Sequence, residues 1–252
     1  RSISHLGFNP LDWRRRPFRS PHHTASSVAL VGGGSVPRPG EISLAHQGVL
    51  FLDELPEFDR RVLDVLREPL ESGRVIISRA ARQAEYPARF QLMAAMNPCS
   101  CGYLGDPEKP CRCSVEQVRR YRQRLSGPLL DRIDLHLQVP RLPFHQLRDT
   151  RARESSAAVR TRVIAAQTRQ WERSGRLNAH LETTEVQRVC DLTEPDQQFL
   201  EQTLEKLHVS ARAYHKILKL ARTLADLEAE PAIQRTHLIE ALGYRCLDRV
   251  MD

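Results

Sequence analysis

Four apolar residues, Val49 to Leu52, lead without interruption into Asp53 and Glu54. A strand that ends in two acids presents both carboxylates at the carboxyl edge of a sheet. There one acid can hold magnesium and its waters, and the other can take a proton from an attacking water. Capping of the following helix by Asp53 is the plainer use of the same residues. A second apolar run, Phe90 to Met96, ends at Asn97. The Asn97 amide can orient a water between a phosphate and Glu54, or it can simply open the turn before Pro98.

A second constellation is C-x-C-x9-C-x-C, formed by Cys99, Cys101, Cys111 and Cys113. Four thiolates suffice for a closed tetrahedral zinc site, which leaves no open position and therefore implies structure and not catalysis. Gly102, Gly105, Pro107 and Pro110 allow the intervening loop to double back. Reduced free thiols and disulfides are the alternatives. The short spacing, in a chain that opens without a charged-apolar-small signal pattern, favours the metal.

The elements that must position these groups can be read from the pattern. Val49 to Leu52 suits a strand buried on both faces of a parallel sheet. A helix is expected over Arg60–Glu71, stopped by Gly73. Val75–Ser78 and Tyr86–Phe90 are expected to pair as a hairpin with Arg79 and Arg82 at its tip. A basic helix around Val115–Arg124 and a short strand over Leu135–Val139 follow. Pro21 to Gly40, with Gly32, Gly33 and Gly34 in a row, reads as a long loop or hairpin. From about Thr150 the period is helical: Ser155–Arg173, Thr184–Val189, Glu194–Leu207, Ser210–Leu227 and Thr236–Cys246. The expected organisation is an α/β part over 1–147, a connecting helix over 148–177 and an all-α part over 178–252. His22 and His23 have no partner at ligand spacing and read as surface-loop residues.

The 252 residues are 40% hydrophobic and 27% charged, enough for a sizeable core and against wholesale disorder. No apolar run approaches the roughly 20 residues of a membrane helix, which points to a soluble, cytoplasmic protein without a membrane partner. The net charge of +7 is uneven, since the first 150 residues hold 22 basic and 16 acidic groups. Such a field favours polyanions, nucleic acid or nucleotide phosphate, although 34 of the 38 cations are arginine and base composition alone can produce that. Arg119, Arg120, Arg122 and Arg124 suit either phosphate contact or a solvated helix face.

With these residues in view the resemblance is specific. GVLFLDEL, MAAMNP and GPLLDRIDL, in this order, resemble the Walker B, sensor 1 and arginine-finger motifs of AAA+ ATPases of the magnesium-chelatase-like branch. The longer strings PFRSPHHTAS, PGEISLAHQGVLFLDELPEF, AAMNPCSCG and ARAYHKILKLARTLADL are similar to the ComM/YifB family. The resemblance implies a partial AAA+ P-loop core followed by a helical lid. It also implies an ATP- and Mg²⁺-dependent homo-hexameric ring motor acting on single-stranded or branched DNA, for ComM proteins a branch-migration helicase in natural transformation. Asp53 and Glu54 match the Walker B acids and Asn97 matches sensor 1. Arg132 matches the arginine finger, with a local ion pair to Asp131 or Asp134 as the plain alternative. Arg212 matches the sensor 2 arginine of the lid, and Asp53 and Arg212 would face the nucleotide. Thr24 to Glu41 resembles the insert before Walker B, and Arg79 to Arg82 the hairpin tip that faces DNA.

One motif is missing. The sequence contains no G-x-x-x-x-G-K-[ST], so the backbone cradle and lysine for the phosphates are expected upstream of Arg1, in a longer protein of which this chain is a fragment. On its own the chain is expected to bind ATP poorly and to hydrolyse none. Two rival functions remain at this stage. One is a magnesium-chelatase motor subunit that remodels a metal-inserting partner, and the other is a zinc-stabilised DNA-binding module without ATPase activity.

Overall fold

The computed structural model describes residues 15–79, 82–142, 154–207 and 211–245. They fall into two compact units, which divide between Ile133 and Asp134.

The first unit is built on a small parallel sheet. β1 (Phe18–Arg19) leads into α1 (Ser27–Val31), β2 (Gly32–Gly33), β3 (Arg38–Pro39) and α2 (Glu41–Leu44), and then into β4 (Val49–Leu52). The expected long loop therefore contains a helix. Ser26 caps it by accepting from the Ala29 amide, and β2 and β3 close an antiparallel ribbon behind it. Arg19 grips both carboxylate oxygens of Glu41 at 2.5 Å, which ties the two ends of this insert together. A β-carbon at Gly48 would collide with the Pro17 carbonyl that accepts the Val49 amide, so the entry to β4 needs glycine.

After β4 come α3 (Arg60–Asp64), α4 (Arg67–Ser72), the hairpin β5 (Arg74–Arg79) and β6 (Arg82–Pro87), and β7 (Gln91–Ala94). The sheet order is β1-β4-β7, all parallel, with Leu50 opposite Leu92 and Leu52 opposite Ala94. Leu50 and Leu52 are fully buried, whereas Phe51 on the other face is half-buried and stacks on the exposed ring of Phe18. Among the described residues the strand is thus covered completely on one face only.

The single helix expected over Arg60–Glu71 is two. Pro69 has no amide to donate to Val65, and its ring disfavours a continuous turn there, so the chain restarts with Pro69 in the first turn of α4. Gly73 then closes α4 in the left-handed region, at φ 69°. The hairpin forms as expected, with Val75 opposite Tyr86 and Arg79 opposite Arg82. The side chains of Arg79 and Arg82 lie outside the described part of the structure.

α5 (Val115–Arg122) starts with a capping box between Ser114 and Gln117, and α6 (Gly127–Leu130) follows. The strand expected over Leu135–Val139 does not form. That segment makes one isolated bridge, His136 with Arg245, and leaves Leu137 and Val139 exposed.

The second unit is helical: α7 (Ser156–Ser174), α8 (Thr183–Val189), α9 (Glu194–Lys206), α10 (Ala211–Leu227) and α11 (Arg235–Gly243). Ala213, Ile217, Ala221 and Ala225 recur every four residues along α10 and are buried, so its neighbours approach closely along that stripe. Leu181, Val186, Leu200, Leu204, Leu238 and Leu242 complete the core around it. Asp226 is buried against α7, taking both nitrogens of the Arg173 fork at 2.7 Å and the Asn178 amide at 2.8 Å. Arg222, one turn earlier, lies 3.1 Å from Asp226.

Candidate nucleotide edge and cysteine cluster

β4 and β7 deliver their ends to the same edge. Asp53 and Glu54 leave β4 fully exposed, and Asn97 stands exposed three residues beyond β7. The ladder continues past the formal strand ends. Ala95 donates its amide to Leu52, and Leu55 donates its amide to Ala95, both at 2.9 Å. The Asn97 backbone hydrogen-bonds the hydroxyl of Tyr121 on α5, whose burial raises its pKa. Sequence reading thus placed Asp53, Glu54 and Asn97 on one edge, and the fold brings them there.

Glu54 adopts a left-handed backbone, φ 52° and ψ 46°. For a residue with a side chain this costs about 1–2 kcal/mol. The surroundings hold it there: the Glu54 amide donates to Asp53 Oδ1 at 2.9 Å, and its carbonyl accepts from Glu57 at 2.7 Å. The strain turns the chain sharply at the edge and leaves both carboxylates directed away from the sheet. Strain of this kind clusters at ligand-binding and catalytic positions.

One contact had no signal in the sequence. His23, 31 residues before Glu54, brings Nδ1 to 3.1 Å from its Oε2. β1 and β4 are adjacent and parallel, and that adjacency carries the histidine to the same edge.

Arg132 lies elsewhere in this unit. Its Nε donates to the Arg67 carbonyl at 3.0 Å, one terminal nitrogen donates to the Pro128 carbonyl at 2.6 Å, and the other pairs with Glu71 at 2.8 Å. The guanidinium is only 10% exposed. Its ion-pair partner is Glu71 on α4, not Asp131 or Asp134, and Asp134 pairs instead with Lys216. Of the α5 arginines, Arg122 reaches the Pro98 carbonyl, while Arg124, just past the helix, holds the Pro56 carbonyl and Glu57. These two brace the loops behind the edge. Arg212 is exposed in the first turn of α10.

The four cysteines converge. Cys99, Cys101 and Cys111 have Sγ separations of 3.4, 3.7 and 3.6 Å, and the four sulfurs including Cys113 lie within 4.8 Å of one another. A tetrahedron with arms of about 2.3 Å has edges near 3.8 Å, so the sulfurs stand at the spacing of metal ligands and well beyond a bond of about 2.05 Å. All four are free thiols. The backbone amides of Tyr103 and Arg112 stabilise the Cys101 thiolate and bring its pKa down to about 6. At Cys111, the amide of Cys113 opposes burial and the neighbouring thiols, and these push it up to about 12. Four sulfurs this close cannot all ionise without a cation among them, which is what the donor set fits.

A parallel sheet with two acids and an asparagine at its carboxyl edge, continued in the chain by an all-helical unit, defines a partial AAA+-like core and a helical lid. Residues 1–147 match the family of magnesium chelatase, subunit ChlI, and residues 153–245 match its C-terminal domain. The chain belongs to this magnesium-chelatase-like family, in its ComM/YifB group. It is 54% identical over 99% of its length to the competence protein ComM of Haemophilus influenzae, of which it covers 50%. It is equally identical, over 95% of its length, to YifB of Escherichia coli, of which it covers 47%. Likeness to the magnesium-chelatase 38 kDa subunit of Chlorobaculum parvum is 34% over 28% of the chain and 20% of that protein. The chain therefore spans about half the length of the curated relatives it matches most extensively.

Proposed function

We propose that this chain supplies the hydrolytic edge and the lid of an ATP-driven, homo-hexameric ring motor that acts on DNA, as a branch-migration helicase in natural transformation. The observation that carries the reading is the exposed Asp53, Glu54 and Asn97 set, with Glu54 held in a strained turn. Likeness to a competence protein across the chain supports DNA as the substrate, and the basic surplus of the first 150 residues agrees with it.

Each residue has a definite task in this scheme. Asp53 offers hard oxygen donors to Mg²⁺ and its waters, and Glu54 accepts the proton of the water that attacks the γ-phosphate. Bound Mg²⁺ supplies charge neutralisation at the phosphates. Asn97 orients the attacking water. Arg212 steadies the nucleotide from the lid, and Arg132 acts as the finger toward a neighbouring subunit, exchanging Glu71 for phosphate. Arg79 and Arg82 contact the DNA backbone. The cysteine cluster holds one Zn²⁺ as a structural staple.

Two measurements test the scheme. The full-length protein should hydrolyse ATP faster with DNA present, and failure of DNA to change that rate at any salt concentration overturns DNA as the substrate. Elemental analysis should give about one zinc per chain, falling to none in Cys111→Ser. Metal-free protein purified without chelator, or disulfide pairing, overturns the zinc assignment.

A further inference from the structure

The contact between His23 and Glu54 is part of a longer chain of contacts. His23 packs edge-on to Phe58, with ring centroids 6.4 Å apart, and lies against His22 with centroids 4.1 Å apart. His22 is fixed in turn by the first residue of the insert. Thr24 donates its amide to His22 Nδ1 at 3.3 Å, and its hydroxyl lies 2.9 Å from the same nitrogen. Two residues later Ser26 caps α1. A continuous path therefore runs from the Thr24–Glu41 insert through His22 and His23 to the Glu54 carboxylate.

The proton positions follow from the donors. His22 Nδ1 accepts from the Thr24 amide, so the His22 proton sits on Nε2. Two imidazoles in contact disfavour a second positive charge, and His23 is the ring that faces a carboxylate. His23 therefore donates from Nδ1 to Glu54 Oε2. An oxygen that already accepts an N–H is a poorer acceptor for the proton of water.

We propose that His23 is a positioning residue that latches Glu54, and that movement of the insert, passed through Thr24 and His22, releases it when DNA engages. The inference rests on the reading of Glu54 as the water-activating base. The side chains are 32% and 54% exposed, and ion pairs this open shift an equilibrium by no more than about five-fold. A weak pair suits a contact that has to open in every cycle.

The test is steady-state ATP hydrolysis by the full-length protein, with and without saturating DNA. His23→Ala should raise the DNA-free kcat about two- to five-fold and leave the KM for ATP and the DNA-saturated kcat unchanged, so the stimulation ratio falls by the same factor. His23→Asn, whose amide nitrogen can stand near the position of Nδ1, should restore the ratio. His22→Ala cuts the path at its other end and should lower the DNA-stimulated rate. A wild-type ratio in both alanine variants overturns the latch. So does a fall in kcat with a rise in KM, with and without DNA alike, which marks a merely structural role. Glu54→Gln separates the two readings: if it still turns over, the base assignment fails, and if it is inactive while both alanine variants keep the wild-type ratio, the latch alone fails.

Discussion

At the carboxyl edge of the sheet Asp53, Glu54 and Asn97 stand exposed, and the backbone of Glu54 is held in a conformation that costs free energy. In the helical unit Asp226 is 1% exposed and accepts from Arg173 and Asn178, with Arg222 closing the network. Both regions gather acids and arginines, yet the first leaves its carboxylates to solvent and the second satisfies them internally. The buried acid shows the difference in its titration. Burial alone would raise the pKa of Asp226, but the hydrogen bonds from Arg173 and Asn178 and the charge of Arg222 outweigh it and hold the group below the usual carboxylate range. An acid with every acceptor position engaged is a structural element, whereas an acid with free lone pairs at a strained turn is available to a ligand.

Arg132 breaks or sharpens this contrast with the largest effect, because it is satisfied like the lid arginines yet assigned to the chemistry. In the full-length protein Arg132→Ala should lower ATP turnover by about 10³- to 10⁵-fold. Mixed rings with Glu54→Gln subunits should regain activity wherever an intact Glu54 faces an intact Arg132. No recovery in rings shown by native mass spectrometry to be mixed would place Arg132 with the structural arginines and leave it to Glu71.

The next effect concerns the lid. Asp226→Ala leaves Arg222 buried without its acid and should destabilise the helical unit by about 3–5 kcal/mol in denaturant unfolding. Because the Asp226 pKa is depressed in the folded chain, its contribution is present above the ordinary carboxylate pKa of about 4 and is lost as pH falls through the lower folded value. Equal loss of stability on Asp53→Ala would erase the contrast. Smallest is the DNA contact: Arg79→Ala with Arg82→Ala should reduce the log-log salt slope of duplex binding by about 1.8, near 0.9 per phosphate. An unchanged slope removes the hairpin tip from the interface.

Local signals were legible in the residues, and long-range ones were not. Val49–Leu52 announces its strand because the apolar run is short and ends in acids, and the lid helices match their periodicity within a residue or two. The cysteine cluster was readable because its ligands lie close in sequence. Leu135–Val139 alternates like a strand, but a strand needs a partner, and its pairing stops at the His136 bridge. The break before Pro69 yielded to the continuous apolar pattern around it, although the missing amide was there to be weighed. His23 was invisible as a neighbour of Glu54, because only the parallel pairing of β1 with β4 brings residues 31 apart to one edge.

The central claim is that Glu54 serves hydrolysis and not binding, and one comparison tests it directly. In the full-length protein, ATP affinity and single-turnover hydrolysis should be measured side by side for the natural sequence and for Glu54→Gln. The amide keeps the shape and removes the base, so affinity should stay within about two-fold while hydrolysis falls by about 10²-fold or more. Turnover that survives in Glu54→Gln, or a loss of ATP binding as large as the loss of turnover, would contradict the account.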